Sequence, residues 1–392
     1  MKFTDVAVPI GLAWSSPFCR WQGPLAEMSS IDLAVDVAGR ALRRTDPNAI
    51  TYLAVGTTVP QPTGFYGATT IAPRLGLDTI TGPTIAQACA TSAAVVQAAA
   101  AQVQLGAHQA TLALATDRTS NGPLMVYSSQ QAPGAAPITE HWVLDPMRLD
   151  PNTRHSMVDT AEFVAAEAGL SRSQIDDLTL LRYEQYAAAV AGGVSKRYLV
   201  EVHVPGRKGV TVIAEDVGIH PTTAEGLARL TPSTADGVVT FGSQTHPGDG
   251  TAGVVVSRTD VARDLSNGSG VARILAVSFA RVERARMPKA PVPAARAALA
   301  DAGLDITDID VVTTHNPFAV NDLYFARETG FALERMNPYG SSLIYGHPQS
   351  PTGLRAITEL IQALHDRGGG RGLFTGCAAG DTAGAVVVEV TA

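Results

Sequence analysis

The sequence has 392 residues, enough for two to three domains at roughly 150 residues each, so the chain can bury a large core. Hydrophobic residues make up 45% of the chain and charged residues 17%, which excludes a disordered, highly charged protein and predicts a compact fold. The formal net charge is −7, and this acidic balance argues against nucleic acid as a partner.

The cysteine count and the lengths of the apolar stretches indicate the cellular compartment of the protein. Three cysteines form an odd set without a closely spaced pair, which excludes a disulfide framework or zinc knuckle and predicts a reducing compartment. The amino-terminal "MKFTDVAVPIGLAW" has Pro9 inside a short apolar run, which favours a strand over a signal peptide. No stretch reaches 18 uninterrupted apolar residues. We therefore expect a cytoplasmic protein that does not bind a membrane.

One helix–strand unit occurs twice along the chain. Residues 28–59, "MSSIDLAVDVAGRALRRTDPNAITYLAVGTTV", predict a helix with Ser30 as its N-cap, followed by a strand over 50–59. Residues 290–318, "APVPAARAALADAGLDITDIDVVTTHNPF", repeat this plan with Gly303 as the helix stop and a strand over 309–314. Repeated α and β units predict a layered α/β architecture in which helices sandwich sheets.

A second repeat supports two similar halves separated by an insertion. Residues 82–106, "GPTIAQACATSAAVVQAAAAQVQLG", match residues 346–381, "GHPQSPTGLRAITELIQALHDRGGGRGLFTGCAAGD", as small residues followed by a helix. Residues 119–236 depart from the plan with "SSQQAPGAAP", a charged helix over 157–186 and a β-like "GVTVIAED". We predict an N-terminal half over 1–118, completed by about 237–262, an inserted region over 119–236 and a C-terminal half over 263–392.

Three side chains have the chemistry of a covalent catalyst. Cys89 is predicted in the first turn of a helix, where free N–H groups and the helix dipole favour thiolate, although a cysteine is also common as a small core hydrophobe. His347 precedes the helix of the matching repeat, so the side chains of Cys89 and His347 can meet. Taken without this repeat, a histidine in the sequence GHP is typical of a turn. Cys377, in the small-residue loop of "TGCAAGDTAG", offers a second thiol as acid or base.

These segments resemble the thiolases, acyltransferases that make or cleave 3-oxoacyl-CoA thioesters. "CATSAAVVQAAAAQVQLG" is similar to the family's CGSGLQAVALAAQAIRAG, "NPYGSSLIYGHPQSPTG" to NPNGGAIALGHPLGASG, and "GCAAGDTAGAVVVEV" to CIGGGQGIALLLE. "WSSPFCRWQGPLAEMSSIDLA" is similar to RTPFGRFGGALA. The resemblance implies a thiolase-like fold of two layered α-β-α-β-α halves with an inserted loop domain. It also implies that Cys89 is the acylated nucleophile, His347 the general base and Cys377 the acid/base for the second step.

The resemblance also implies a set of substrate-binding residues. "MVDTAEFVAAEAGLSRSQID" resembles the family's MGxTAENVA region, and "VVTFGSQTHPGDGTAGVVV" resembles VTAGNASGLNDGAAAV, where a serine lies near the pantetheine. The implied substrate and CoA contacts are Met157, Thr245, His246, Phe318 and Ala379. Coenzyme A thioesters are then the substrates, no metal or redox cofactor is needed, and a homodimer or homotetramer is expected.

The sequence departs from the family at its oxyanion-holding positions. "HNPFA" replaces NEAFA, so His315 occupies the position of an asparagine that helps hold an oxyanion, and a histidine can still donate one N–H. Ala379 replaces a glycine whose amide completes the other oxyanion hole, and we expect a penalty if that backbone needs positive φ. Ala90 and Ser92 replace glycines, which predicts crowding near Cys89.

The predicted function is an acyl-CoA C-acyltransferase that works through an acyl-cysteine intermediate. The departures keep two alternatives open: an acyltransferase that needs an accessory protein or a non-CoA acceptor, and a non-catalytic acyl-CoA-binding protein. The cysteine and histidine alone are also compatible with a hydrolase that releases free acid.

Overall fold

The computed structural model describes residues 1–128 and 134–391. Its strands, numbered in chain order, are β1 Ala7–Pro9, β2 Ala13–Ser15, β3 Cys19–Arg20, β4 Leu53–Gly56, β5 Thr84–Ile85, β6 Ala110–Arg118, β7 Leu124–Tyr127, β8 Ile138–His141, β9 Val202–Gly206, β10 Gly209–Ile213, β11 Gly248–Ser257, β12 Val271–Arg281, β13 Val311–His315, β14 Gly370–Ala378 and β15 Thr382–Thr391. The α-helices are α1 Ser30–Ala41, α2 Ala68–Arg74, α3 Thr91–Gln104, α4 Leu144–Arg148, α5 Met157–Glu167, α6 Arg172–Ala191, α7 Ala224–Ala228, α8 Thr259–Leu265, α9 Pro291–Ala302, α10 Ala319–Thr329, α11 Ser342–Tyr345 and α12 Thr352–Asp366.

A mixed sheet runs through both halves in the order β13-β14-β15-β12-β1-β11-β6-β4-β5, with β2 and β3 also paired to β11. Strand β1 joins the two halves because Ala7 pairs with Ser257 of β11 on one side and with Arg273 of β12 on the other. Helices α3 and α12 lie side by side, and their apolar side chains form the central core with strands of both halves.

The outer faces of the sheet are covered by further helices. Helix α1 contributes Leu33 and Val37 to a core with β4 and β6, while α9 contributes Val292 and Leu299 to a core with β13 and β15. The layers therefore follow the order α-β-α-β-α, which confirms the predicted fold class.

The predicted repeats are present with one small correction. Helix α1 is capped by Ser29, whose hydroxyl accepts a hydrogen bond from the Asp32 N–H, so the prediction of Ser30 as N-cap is wrong by one residue. Helix α9 ends at Gly303, which adopts φ +73° as the left-handed C-cap, and β13 follows at residues 311–315.

The segment that departs from the repeats connects β6 to β11, which pair with each other in antiparallel register. The single charged helix predicted over 157–186 is wrong, because Gly169 at φ +61° ends α5 and Ser171 caps the start of α6. The predicted strand in "GVTVIAED" is β10. Half of "SSQQAPGAAP", residues 129–133, lies outside the described residues.

A buried ion network fixes this segment to α12. Both oxygens of Asp216 accept hydrogen bonds from the Arg355 guanidinium, at 2.6 and 2.8 Å, and Arg355 also contacts Glu359 at 2.9 Å. Removing one member would leave a buried charge unpaired, which is strongly destabilising. The network therefore ties the segment to the helix that begins just after His347.

No helix among the described residues has both the length and the apolar character needed to cross a membrane.

Candidate active site

Cys89 lies in a tight turn two residues before the first residue of α3, so its predicted place in the first turn of the helix is wrong. The preceding Ala88 has φ +44°, a conformation that residues with a side chain rarely adopt. The Thr91 hydroxyl holds this turn, since it donates to the Ala88 carbonyl and accepts from the Gln87 N–H, each at 2.7 Å. This turn therefore places the Cys89 thiol at the N-terminal end of α3, in the central helical layer.

His347 meets Cys89 from the other half of the molecule. It lies between α11 and α12, and its Nε2 is 3.1 Å from the Cys89 Sγ. On the other side of the ring, Nδ1 is 2.6 Å from the Thr352 hydroxyl. When Nδ1–H donates to Thr352, Nε2 carries the lone pair and faces the thiol. Thr352 was not predicted, since a hydroxyl that orients a histidine has no sequence signal of its own.

Burial determines the charge states of this pair. It raises the pKa of the Cys89 thiol to about 11, although the nearby backbone N–H groups of Ala379 and Cys89 lower that pKa. Burial also lowers the pKa of His347 to about 3. The expectation of a resting thiolate is therefore wrong, because the loss of hydration outweighs the stabilisation by N–H groups. At neutral pH the pair is a thiol beside a neutral imidazole.

His315 stacks on His347, with ring centroids 4.0 Å apart and planes inclined by 28°. Its Nδ1 is 2.9 Å from the Ser342 hydroxyl, and its buried Nε2 has no hydrogen-bond partner among the described residues. Asn316 instead donates its side-chain amide to Asp322 at 2.7 Å. The structure therefore brings His315, and not Asn316, to the reaction centre.

Cys377 is the second thiol at this centre. It is the penultimate residue of β14, so its predicted place in a loop is wrong: pairing with Ala383 of β15 extends the strand through it. The side chain is fully buried, and the Asn321 amide nitrogen lies 3.3 Å from its sulfur. Burial, followed by the nearby Cys89, raises the pKa of this thiol.

Ala379 fits its position without backbone strain. It is not among the residues with positive φ, because the left-handed conformations fall on Gly380 at φ +82° and Asp381 at φ +58°. The expected penalty for alanine is therefore absent. The Ser92 hydroxyl turns to α12, where it donates to the Ser350 carbonyl and accepts the Leu354 N–H at 2.8 Å, while crowding near Cys89 by Ala90 and Ser92 stays a prediction.

The predicted binding residues fall into two groups. Met157 and Phe318 are buried in one apolar cluster with Cys377. Thr245 and His246 are half-buried, and the His246 carbonyl accepts the His347 N–H at 2.8 Å. Both groups lie next to catalytic candidates, but which of these side chains a substrate touches stays a prediction.

Cys89, His315 and His347 each place a potential ligand atom within 4.8 Å of the other two, a spacing compatible with a metal ion. The near-parallel rings of the histidines oppose that use, since their nitrogen lone pairs lie in the ring planes and run side by side. That no metal is needed remains a prediction from the sequence.

Comparison with known proteins finds thiolases as relatives along nearly the whole chain. The models of the thiolase N-terminal and C-terminal domains match residues 8–260 and 269–390. An acetyl-CoA acetyltransferase of Escherichia coli (strain K12) is 30% identical over 378 residues, covering 94% of this chain and 95% of that protein. A 3-ketoacyl-CoA thiolase of Erwinia tasmaniensis is 30% identical over 426 residues, covering 98% and 96%.

Solved structures agree in fold over nearly the full length. Human mitochondrial 3-ketoacyl-CoA thiolase superposes with a TM-score of 0.92 at 25% identity, and the Bacillus anthracis acetyl-CoA acetyltransferase with 0.92 at 27%, each over 99% of both chains. With its two halves, its facing cysteine and histidine and these relatives, the chain belongs to the thiolase family.

Proposed function

We propose that the protein is an acyl-CoA C-acyltransferase that forms or cleaves a 3-oxoacyl-CoA through an acyl group on Cys89. The observation that carries the proposal is the 3.1 Å contact between the half-buried Cys89 sulfur and His347 Nε2, beside the fully buried thiol of Cys377. The names of the relatives, acetyl-CoA acetyltransferase and 3-ketoacyl-CoA thiolase, support the same enzyme class.

In the first half-reaction Cys89 attacks the thioester carbonyl of an acyl-CoA while its proton passes to His347 Nε2. The N–H groups of Cys89 and Ala379, which lower the pKa of the thiol, hold the developing oxyanion. Coenzyme A leaves as the thiolate and takes the proton of Cys377. This step leaves an acyl-Cys89, a protonated His347 and a Cys377 thiolate.

In the second half-reaction Cys377 removes an α-proton from another acyl-CoA, and the resulting carbanion attacks the acyl-Cys89 carbonyl. Protonated His347 and the His315 Nε2 face this centre and hold the enolate oxygen, with His315 as a donor when Ser342 donates to its Nδ1. The Cys89 thiolate leaves and recovers its proton from His347. Both thiols and His347 are then neutral again, in agreement with their shifted pKa values.

The test is the product formed from acetyl-CoA alone by the purified protein. Acetoacetyl-CoA, and its cleavage on addition of coenzyme A, is the expected result. Free acetate without a new carbon–carbon bond would identify a hydrolase instead, and neither product would indicate a binding protein or one that needs an accessory partner.

The remaining expectations from the sequence form part of the proposal. Residues 119–236 are the inserted region that holds coenzyme A, the substrates are CoA thioesters without a further cofactor, and the enzyme works in the cytoplasm as a homodimer or homotetramer.

A further inference from the structure

A cavity of about 290 Å³ opens beside the reactive sulfur. Its walls include Gln349, whose Oε1 lies 3.6 Å from the Cys89 sulfur, and Ala379, whose backbone N–H lowers the pKa of that thiol. At about 30 Å³ for each water-sized group, the cavity is much larger than an acetyl group needs. An acyl chain on Cys89 can therefore extend into it.

The cavity wall is mostly apolar. Val59, Trp142, Val143 and Met147 line it, and the Trp142 indole N–H is already bonded to the Thr58 carbonyl at 2.7 Å. The acyl body that fits such a wall is a hydrocarbon.

Gln349 breaks this apolar character next to the sulfur. The residue is 8% exposed, and its Nε2 makes no hydrogen bond to a described residue while Oε1 faces Cys89. Its backbone has φ +67°, an unfavourable conformation that persists only where the surroundings enforce it. The neighbouring Ser350 N–H is held by the buried Asp117 carboxylate at 2.9 Å. The structure thus holds an amide with unused donors at a fixed place in the cavity.

An amide N–H without a protein partner can donate a hydrogen bond to an acceptor oxygen on a bound ligand. With Oε1 only 3.6 Å from the sulfur, the amide lies beside the first carbons of an acyl group attached there. Glu140 also lines the cavity, so a negatively charged acyl group is disfavoured. The oxygen that fits is neutral, such as a hydroxyl.

Building on the proposed acyl transfer, we propose that Gln349 makes this cavity selective for acyl groups with a neutral oxygen substituent near the thioester carbon and an apolar remainder. Leucine occupies the corresponding place in the family pattern GHPLGASG quoted above, so the amide is a feature of this chain.

The test compares butyryl-CoA with 3-hydroxybutyryl-CoA as donors, with the rate of Cys89 acylation followed by intact-protein mass spectrometry. We expect the full-length wild type to react about tenfold faster with the hydroxylated donor, and Gln349→Leu to bring the ratio of the two rates close to one. Gln349→Met, which keeps the length of the side chain without its donors, should give the same ratio. Met147→Leu, which changes the same cavity without removing a donor, should keep the preference.

Two results would overturn the inference. Equal acylation rates for the two donors in the wild type would show that the cavity is not selective. An equal fall of both rates in the Gln349 variants would show that the side chain binds the thioester oxygen or stabilises the fold. In both cases acylation by butyryl-CoA would leave the proposed function standing. Absence of acylation by either donor, and by acetyl-CoA, would reject the proposed function together with the inference.

Discussion

The two halves of the molecule share one scaffold and contribute different chemistry. In the N-terminal half the turn before α3 presents Cys89, and in the C-terminal half the segment before α12 presents His347, 3.1 Å away. In the proposed mechanism the first half supplies the nucleophile, whereas the second supplies His315, His347, Cys377 and the Ala379 N–H. The repeat brings the segments before α3 and α12 together. Because these segments carry different residues, we propose that one provides the nucleophile and the other provides the base.

The largest expected effect comes from removing the second thiol. Cys377→Ala should lower carbon–carbon bond formation by about 10²–10⁴-fold, because the α-proton then has no positioned base. Acylation of Cys89 should fall much less, since the thiolate of coenzyme A is a good leaving group. Quenched-flow measurement of acyl-enzyme and of acetoacetyl-CoA separates the two half-reactions.

The matched control is Cys19→Ala, which removes a buried thiol of β3 outside the site and should leave both rates unaltered. Equal losses in the two half-reactions of Cys377→Ala would contradict the division of labour between the halves.

The place of His347 just before a helix follows from the repeats in the sequence, because small residues followed by an apolar helical pattern predict it. Cys89 was predicted in the first turn of its helix and lies two residues before it. Their charge states do not follow. The dipole and N–H groups at a helix start predict a thiolate, but burial is a tertiary property, and it raises the pKa of Cys89 to about 11.

The sequence also did not predict the residues that orient a catalytic candidate through a hydrogen bond. Ser342 and Thr352 are short hydroxyl residues near a motif, and only the fold shows that each one bonds to a histidine. The same applies to Cys377, whose strand is extended by β15 where the small residues suggested a loop. Gln349 was not singled out from the sequence, because the cavity that gives it a role is a property of the fold.

A smaller effect on the condensation rate is expected from Ser342, the hydroxyl partner that orients His315. Ser342→Ala should slow condensation about tenfold, because the His315 Nδ1 loses its hydrogen-bond partner and Nε2–H is no longer the fixed donor. The neighbouring Ser341 is equally buried and its hydroxyl has no partner among the described residues, so Ser341→Ala controls for the loss of a hydroxyl.

In a His315→Asn background the Ser342→Ala change should alter the condensation rate by less than about twofold, since contacts that act through one residue are not additive. An effect of Ser342→Ala that persists in that background, or an equal effect of Ser341→Ala, would show that Ser342 does not act through His315.

The smallest expected effect is that of pH on the first half-reaction. His347 with a pKa of about 3 is already the neutral base throughout pH 6–9, and Cys89 with a pKa of about 11 remains a thiol. The acylation rate should therefore vary less than about twofold over this range and decline only as pH falls toward 3. A fall in the rate below about pH 6.5, the ordinary range of histidine, would contradict the buried neutral pair.

The most direct measurement is intact-protein mass spectrometry of the wild type and of Cys89→Ala after mixing with acetyl-CoA, followed by peptide mapping. The structure predicts one acyl increment in the wild type, located on Cys89 and absent from the variant. An increment that persists in Cys89→Ala, or that maps to Cys377, would contradict the assignment of the nucleophile to the N-terminal half.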